Sequence, residues 1–232
     1  MKAHVLLIVP AILLVPVSAH YPAVRGIQPP SEIAAPNSDD PSSPAFQTVI
    51  EPGLSVGPLK LGDSRERAWE LFPKKYGDQE WEDRCGTTLY WVDADNRAGQ
   101  GDLSIRLNKN KVFQIESSTT RFHTAEGITI FDPPEKVKTA YKGLSAYTLL
   151  TTPTPALGDR PLIFWIDKKS GIAFAFAYYP AQSKRYLYKI IVFAPNKTFC
   201  PEGEGTNSPK WQPIPPYSLE PPSDLALNRQ SS

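Results

Sequence analysis

The sequence predicts an α+β fold: two helix-plus-β-meander repeats forming one antiparallel sheet of about six strands, with both helices on one face. Three observations predict it. Residues 58–72 align without a gap on residues 127–141. Each copy is followed by a matching aromatic strand, residues 89–93 and then 163–167. Short alternating stretches joined by tight turns come next in both copies, as antiparallel pairing requires. A repeated unit sets the architecture before any single element does.

The elements follow in order. In repeat one Asp63 is a candidate N-cap with Glu66 at capping-box spacing, and Ala68, Leu71 and Phe72 form one apolar face. Leu103, Ile105 and Leu107 alternate with Ser104 and Arg106, a half-buried strand. Residues 108–111 are a tight turn, and residues 112–117 return. Repeat two reuses the device: Asp132 as cap, Pro133 at the first helical position, Glu135 completing the box, then Val137, Ala140, Tyr141 and Leu144 on one face. Gly143 helps to end that helix. Strands are expected over residues 162–167, 172–179 and 186–193, with turns at 168–171 and 180–185. Residues 54–61 are a candidate edge strand. On the strand 172–179, Ile172, Phe174, Phe176 and Tyr178 face one way and Ala173, Ala175, Ala177 and Tyr179 the other. The small alanines are expected to carry the helices. The aromatic side is then a second core, or else an exposed partner surface.

Flanking this core, residues 1–19 read as an export signal: Lys2, an apolar stretch over 5–17, and the small-residue site Val17-Ser18-Ala19. The stretch is shorter than the roughly 20 apolar residues of a span, and Pro10 and Pro16 interrupt it. Cleavage after Ala19 gives a periplasmic or secreted protein with no membrane span; an uncleaved segment would anchor it. Residues 20–47 form a Pro/Ser-rich linker and 201–232 a Pro-rich tail, both expected to be disordered. Residues 48–123 and 124–200 are the two repeats, together one compact domain, expected to be monomeric. The net charge of +1, with signs interspersed, argues against a nucleic-acid partner. Cys85 and Cys200 are the only cysteines. In an exported chain an even count predicts a disulfide; the alternative is two separate buried thiols.

Little chemistry is offered. No catalytic residue, metal site or cofactor is expected. His123 is the one histidine of the core and lacks a nucleophile-elbow motif. The pairs Glu80 with Glu82 and Asp93 with Asp95 lie in polar stretches, and Asp93 and Asp167 read as turn initiators. Asn196-Lys197-Thr198 fits a glycosylation sequon and is uninformative. If the sheet is continuous, Lys109, Lys111, Lys184 and Arg185 at two equivalent hairpin tips form a basic rim for an acidic partner; the plain alternative is solvated turns that discourage edge aggregation.

The signature Leu61-Gly62-Asp63-Ser64 with Ala68 and Phe72, followed by an aromatic strand and a meander, resembles the family of the beta-lactamase inhibitor protein and the outer-membrane assembly lipoproteins of the SmpA/BamE kind. The tandem form is closer to the inhibitor, itself a duplication. The resemblance spans residues 53–195. It implies a non-catalytic protein-binding scaffold of the envelope or the extracellular space. The chain lacks a lipid-acceptor cysteine, carries Phe131 in place of the second signature glycine, and matches no inhibitor contact residues. The expectation is therefore an exported, non-enzymatic domain that binds an unidentified protein. The alternatives are a signal-anchored structural accessory of the envelope, or a hydrolase with a site near His123.

Overall fold

The computed structural model describes residues 47–72, 79–83, 85–92, 102–150, 161–200 and 210–220. The expected signal and nearly all of the linker, residues 1–46, lie outside them, as do Asp93, Asp95 and residues 201–209 and 221–232 of the tail. Among the described residues no helix is long and apolar enough to cross a membrane.

The strands are β1 (Val49–Glu51), β2 (Ser55–Val56), β3 (Leu59–Lys60), β4 (Gln79–Asp83), β5 (Gly86–Val92), β6 (Asp102–Asn108), β7 (Lys111–Ser117), β8 (His123–Thr124), β9 (Ser145–Leu150), β10 (Leu162–Asp167), β11 (Ile172–Tyr179), β12 (Lys184–Phe193) and β13 (Lys210–Ile214). Helix α1 (Arg65–Leu71) precedes β4 and α2 (Pro134–Ala140) precedes β9. The main sheet has nine strands in the order β13-β9-β10-β11-β12-β7-β6-β5-β4. Every neighbouring pair in it is antiparallel.

The sheet is thus larger than the expected six strands, for three reasons. β4 is written in polar residues (Gln79, Glu80, Glu82, Asp83) that read as a turn. β9 begins directly after Leu144, which periodicity had joined to the helix; α2 instead stops at Ala140, with Tyr141 already extended. β13 lies inside the tail that composition had marked as disordered.

Residues 54–61 do not add an edge to this sheet. They supply β2 and β3 of a separate four-stranded sheet, β3-β2-β1-β8, in which β1 and β8 run parallel. Its Ile50, Val56 and Leu59 share one core with Ala68 and Phe72 of the first helical segment, Val137 of α2, and the inward side of the main sheet.

The expected faces are reversed. Ile172, Phe174 and Phe176 point into the core that carries both helices. Ala173, Ala175 and Ala177 lie on the back, packed with Phe164, Ile191 and Phe193. Tyr141 accounts for this choice: its ring packs at a tilt against Phe174, centroids 4.7 Å apart, so aromatic side chains fill the gap between helix and sheet and no close approach over alanine is needed.

The loops entering the helices repeat each other in detail. Lys60 N–H donates to Asp63 Oδ2 and Thr129 N–H to Asp132 Oδ2, both at 2.8 Å. Gly62 N–H donates to Val112 O and Phe131 N–H to Leu187 O, both at 2.7 Å. Gly62 (φ 90°) and Phe131 (φ 67°) both sit in the left-handed region, which explains glycine in the first loop and marks Phe131 as an unusual occupant of the second. Asp63 and Asp132 are consequently not the caps. The helices start one residue later than expected, and each aspartate closes its own loop. Ser64 caps α1, its Oγ accepting from Arg67 N–H at 3.2 Å, while Pro133 at the α2 N-cap makes no side-chain cap. Glu66 and Glu135 stand in the first turns, where a negative charge suits the helix dipole. The Ser64 hydroxyl helps to hold the Glu66 carboxyl below its usual range.

Between β6 and β7 the two turn residues Lys109 (φ 49°) and Asn110 (φ 61°) both have positive φ, the geometry of a type I′ turn that favours Asn-Gly. The double change Lys109→Asn, Asn110→Gly is expected to raise stability by about 1 kcal/mol, read as a higher midpoint in urea.

Cys85, before β5, is bonded to Cys200, beyond β12, with Cα atoms 6.1 Å apart and a sequence separation of 115. Replacing both by serine is expected to cost about 2–5 kcal/mol, since the bridge restricts a long loop in the unfolded chain; thermal unfolding with and without reductant checks it.

Candidate interface

The predicted basic rim does not form. β7 and β12 are antiparallel neighbours, with Gln114 opposite Phe193. The tip bearing Lys109 and Lys111 therefore lies at one end of the sheet and the tip bearing Lys184 and Arg185 at the other, about 40 Å apart at roughly 3.3 Å per residue. Equivalent hairpins in an antiparallel arrangement of the two halves must point in opposite directions. Arg185 is moreover buried, at 6% exposure. Its NH1 donates to Pro161 O at 3.0 Å and Phe176 O at 3.4 Å, and its guanidinium lies 5.9 Å from the Tyr178 ring.

Lys184 and Arg185 instead border a groove of about 460 Å³ between the β11–β12 tip and the start of α2. Pro133, Pro134, Tyr178 and Tyr186 wall it, and Leu219 and Glu220 close one side. The walls are rigid: prolines fix φ, and tyrosines offer large contact area with few rotatable bonds. Lys184, Arg185, Glu135 and Glu220 all line the groove, two charges of each sign, so its lining carries no net charge to select a partner.

Beside the groove the chain seats its own C-terminal segment. β13 pairs along β9 from Lys210 opposite Leu150 to Ile214 opposite Ala146. Trp211 packs on the back of the sheet, 4.9 Å from the Phe164 ring, while Ile214 enters the helix-side core. Tyr217 then turns inward. Its hydroxyl donates to Tyr141 O at 3.2 Å and accepts from Leu144 N–H at 3.4 Å. Its ring meets Trp165 edge-on at 5.3 Å, and Trp165 Nε1–H donates to Ser218 O at 3.0 Å. Sequence reasoning missed this segment because its prolines weighed more than its anchors. Trp211, Ile214, Tyr217 and Leu219 were the available signal, since disordered segments are poor in such residues.

On the back face lies a buried ionic cluster that was also missed. Glu116 Oε1 accepts from Arg106 Nε at 2.6 Å and from Gln114 Nε2 at 2.7 Å, and Glu116 Oε2 accepts from Lys189 Nζ at 2.8 Å. Gln114 pairs both ways with the Cys200 main chain, at 2.7 and 2.9 Å. Arg106, Glu116 and Lys189 are 4%, 1% and 5% exposed. Burial alone would push the Glu116 carboxyl up; Lys189 and Arg106 outweigh it and hold the carboxyl below the usual carboxylate range. A strand alternating Leu, Ser, Ile, Arg and Leu reads as polar side to solvent; Lys189 and the Cys200 main chain, both distant in sequence, engage that side.

The remaining candidates are dispersed. His123 is half-buried in β8, its main-chain N–H donating to Thr48 O at 3.0 Å. Glu80 pairs with Arg65 of α1 and Glu82 with Thr87 of the neighbouring strand, so each carboxylate of this pair is engaged elsewhere. Asp167 initiates its turn as expected, accepting from Ser170 N–H at 3.0 Å and Ser170 Oγ–H at 2.6 Å. Asn196 is exposed, with φ 60°. No protein-family model, curated protein or solved structure matches the chain.

Proposed function

We propose that this chain is an exported, non-catalytic protein-binding domain built from two copies of one helix-plus-meander unit. The proline- and tyrosine-walled groove between α2 and the β11–β12 tip carries the proposal. Tyrosine side chains in a rigid concave site are common anchors of protein recognition, and the groove's volume lies within the common range for binding sites. The matched hydrogen bonds of the two helix-entry loops support duplication, and with it the kinship to the inhibitor and SmpA/BamE-like domains. The Cys85–Cys200 bridge suits an oxidising compartment, in keeping with a periplasmic or secreted location.

The test is capture. The tagged, oxidised chain and its Tyr178→Ala, Tyr186→Ala variant are incubated with native envelope and culture-supernatant fractions, and bound proteins are identified by mass spectrometry. A stoichiometric partner lost at least about tenfold in the variant is expected, a typical effect of removing two hot-spot tyrosines. Equal capture by both forms would remove the groove, and capture of nothing at any salt would remove the protein-binding reading.

A further inference from the structure

We propose that the outer edge of β9, with the cradle formed by Trp165, Tyr141 and Leu144, is a peptide-docking site that residues 210–220 fill in cis. In trans it takes a partner protein's extended strand that ends in a proline-flanked tyrosine. The inference deepens the protein-binding reading and rests on it for the existence of a partner.

The seated segment shows what chemistry the site accepts. Its polar contacts engage main-chain groups: the β9 ladder, Tyr141 O and Leu144 N–H for the Tyr217 hydroxyl, and Ser218 O for the Trp165 indole. Recognition of that kind reads an extended backbone and leaves specificity to a few pocketed side chains, as in strand addition to a sheet edge. Three anchors divide the work. Trp211 covers the back face, Ile214 reaches the helix-side core, and Tyr217 packs edge-on against Trp165.

Two features make the occupant exchangeable. Residues 210–220 lie outside the loop closed by Cys85–Cys200, so their departure leaves the covalently closed part intact. β9 would then present an unpaired edge, which a partner strand can cover. Pro213, opposite Tyr147 in the outermost strand, supplies no N–H to a further strand and ends the sheet there. Cis and trans occupancy therefore exclude each other.

The experiment uses the full chain with a specific protease site inserted between Cys200 and Lys210, folded and oxidised before cutting. Fluorescein-labelled peptides of sequence 210–220, native and Tyr217→Ala, are titrated into cut and uncut protein and followed by anisotropy, with near-UV circular dichroism as the control for folding. The native peptide is expected to bind cut protein at least about tenfold more tightly than uncut protein, because a tethered competitor acts at about millimolar effective concentration. The Tyr217→Ala peptide is expected to bind about tenfold more weakly. Folded, cut protein that binds neither peptide, or binds both alike, overturns the site. Peptide exchange without partner capture keeps the site and removes only the protein-binding reading, and capture without exchange does the reverse.

Discussion

Replacing Glu116 by alanine is expected to cost about 3–5 kcal/mol, the usual penalty for removing one partner from a buried ion cluster. The carboxylate stands between Arg106 Nε at 2.6 Å and Lys189 Nζ at 2.8 Å, and its loss leaves two like charges facing each other away from water. The position adds to the effect. Glu116 is on β7 and Lys189 on β12, the strands that join the two halves of the main sheet, and their ladder has four paired positions. Urea unfolding should show a lower midpoint for Glu116→Ala. The pH dependence follows from the direction of the shift. The folded carboxyl titrates below the unfolded one, so its contribution is complete above the unfolded value of about 4.3 and is lost as pH falls through the lower folded value. Glu116→Gln should flatten the acid limb of the stability profile below about pH 5. An unchanged limb would mean that the cluster does not report on folding.

Gly171→Ala is expected to destabilise by about 4 kcal/mol or more, the range reserved for a clash that the surroundings cannot relieve. A Cβ there would lie 2.2 Å from Phe193 O and 2.9 Å from Gly53 Cα, on a residue whose φ is +77°. The obstructing atoms are main chain and cannot swing aside. The same residue joins the β10–β11 turn to the small sheet, its carbonyl accepting from Gly53 N–H at 3.2 Å and Phe193 N–H at 3.0 Å. Gly127 and Gly143 provide the controls. Both have φ of +74° with nothing within 4 Å of the added atom, so alanine there should cost only about 1 kcal/mol of backbone strain. Similar losses at all three positions would show that left-handed strain, and not the close approach, sets the cost.

What was legible in the sequence had a local physical cause. The first helix, the start of the second, the strands at residues 103–107 and 172–179, and the turn at Asp167 follow from periodicity and short-range hydrogen bonding, and the structure places them within a residue or two; the second helix ends at Ala140, four residues short of Leu144. The cysteine count pointed correctly to Cys85–Cys200. What failed depended on which surfaces are covered. Alanines beside phenylalanines on β11 could not say which side meets the helices, because that depends on Tyr141 and Leu144 arriving from elsewhere. Arg106 looked like a solvated strand position because its burial requires Glu116, Lys189 and the Cys200 main chain, the last 94 residues further along than Arg106. The rim of Lys109, Lys111, Lys184 and Arg185 failed on topology. A repeat specifies what each copy looks like, and the antiparallel β7–β12 ladder turned the copies head to tail.

The bridge between Cys85 and Cys200 encloses every element from β5 to β12 in one covalent ring. A protease that cuts once anywhere between these cysteines leaves two pieces still chained together, each held by the strands of the other. Such a nicked molecule would migrate as intact protein until reduced. The ring turns a first cut from a lethal event into a survivable one, and degradation has to wait for a second.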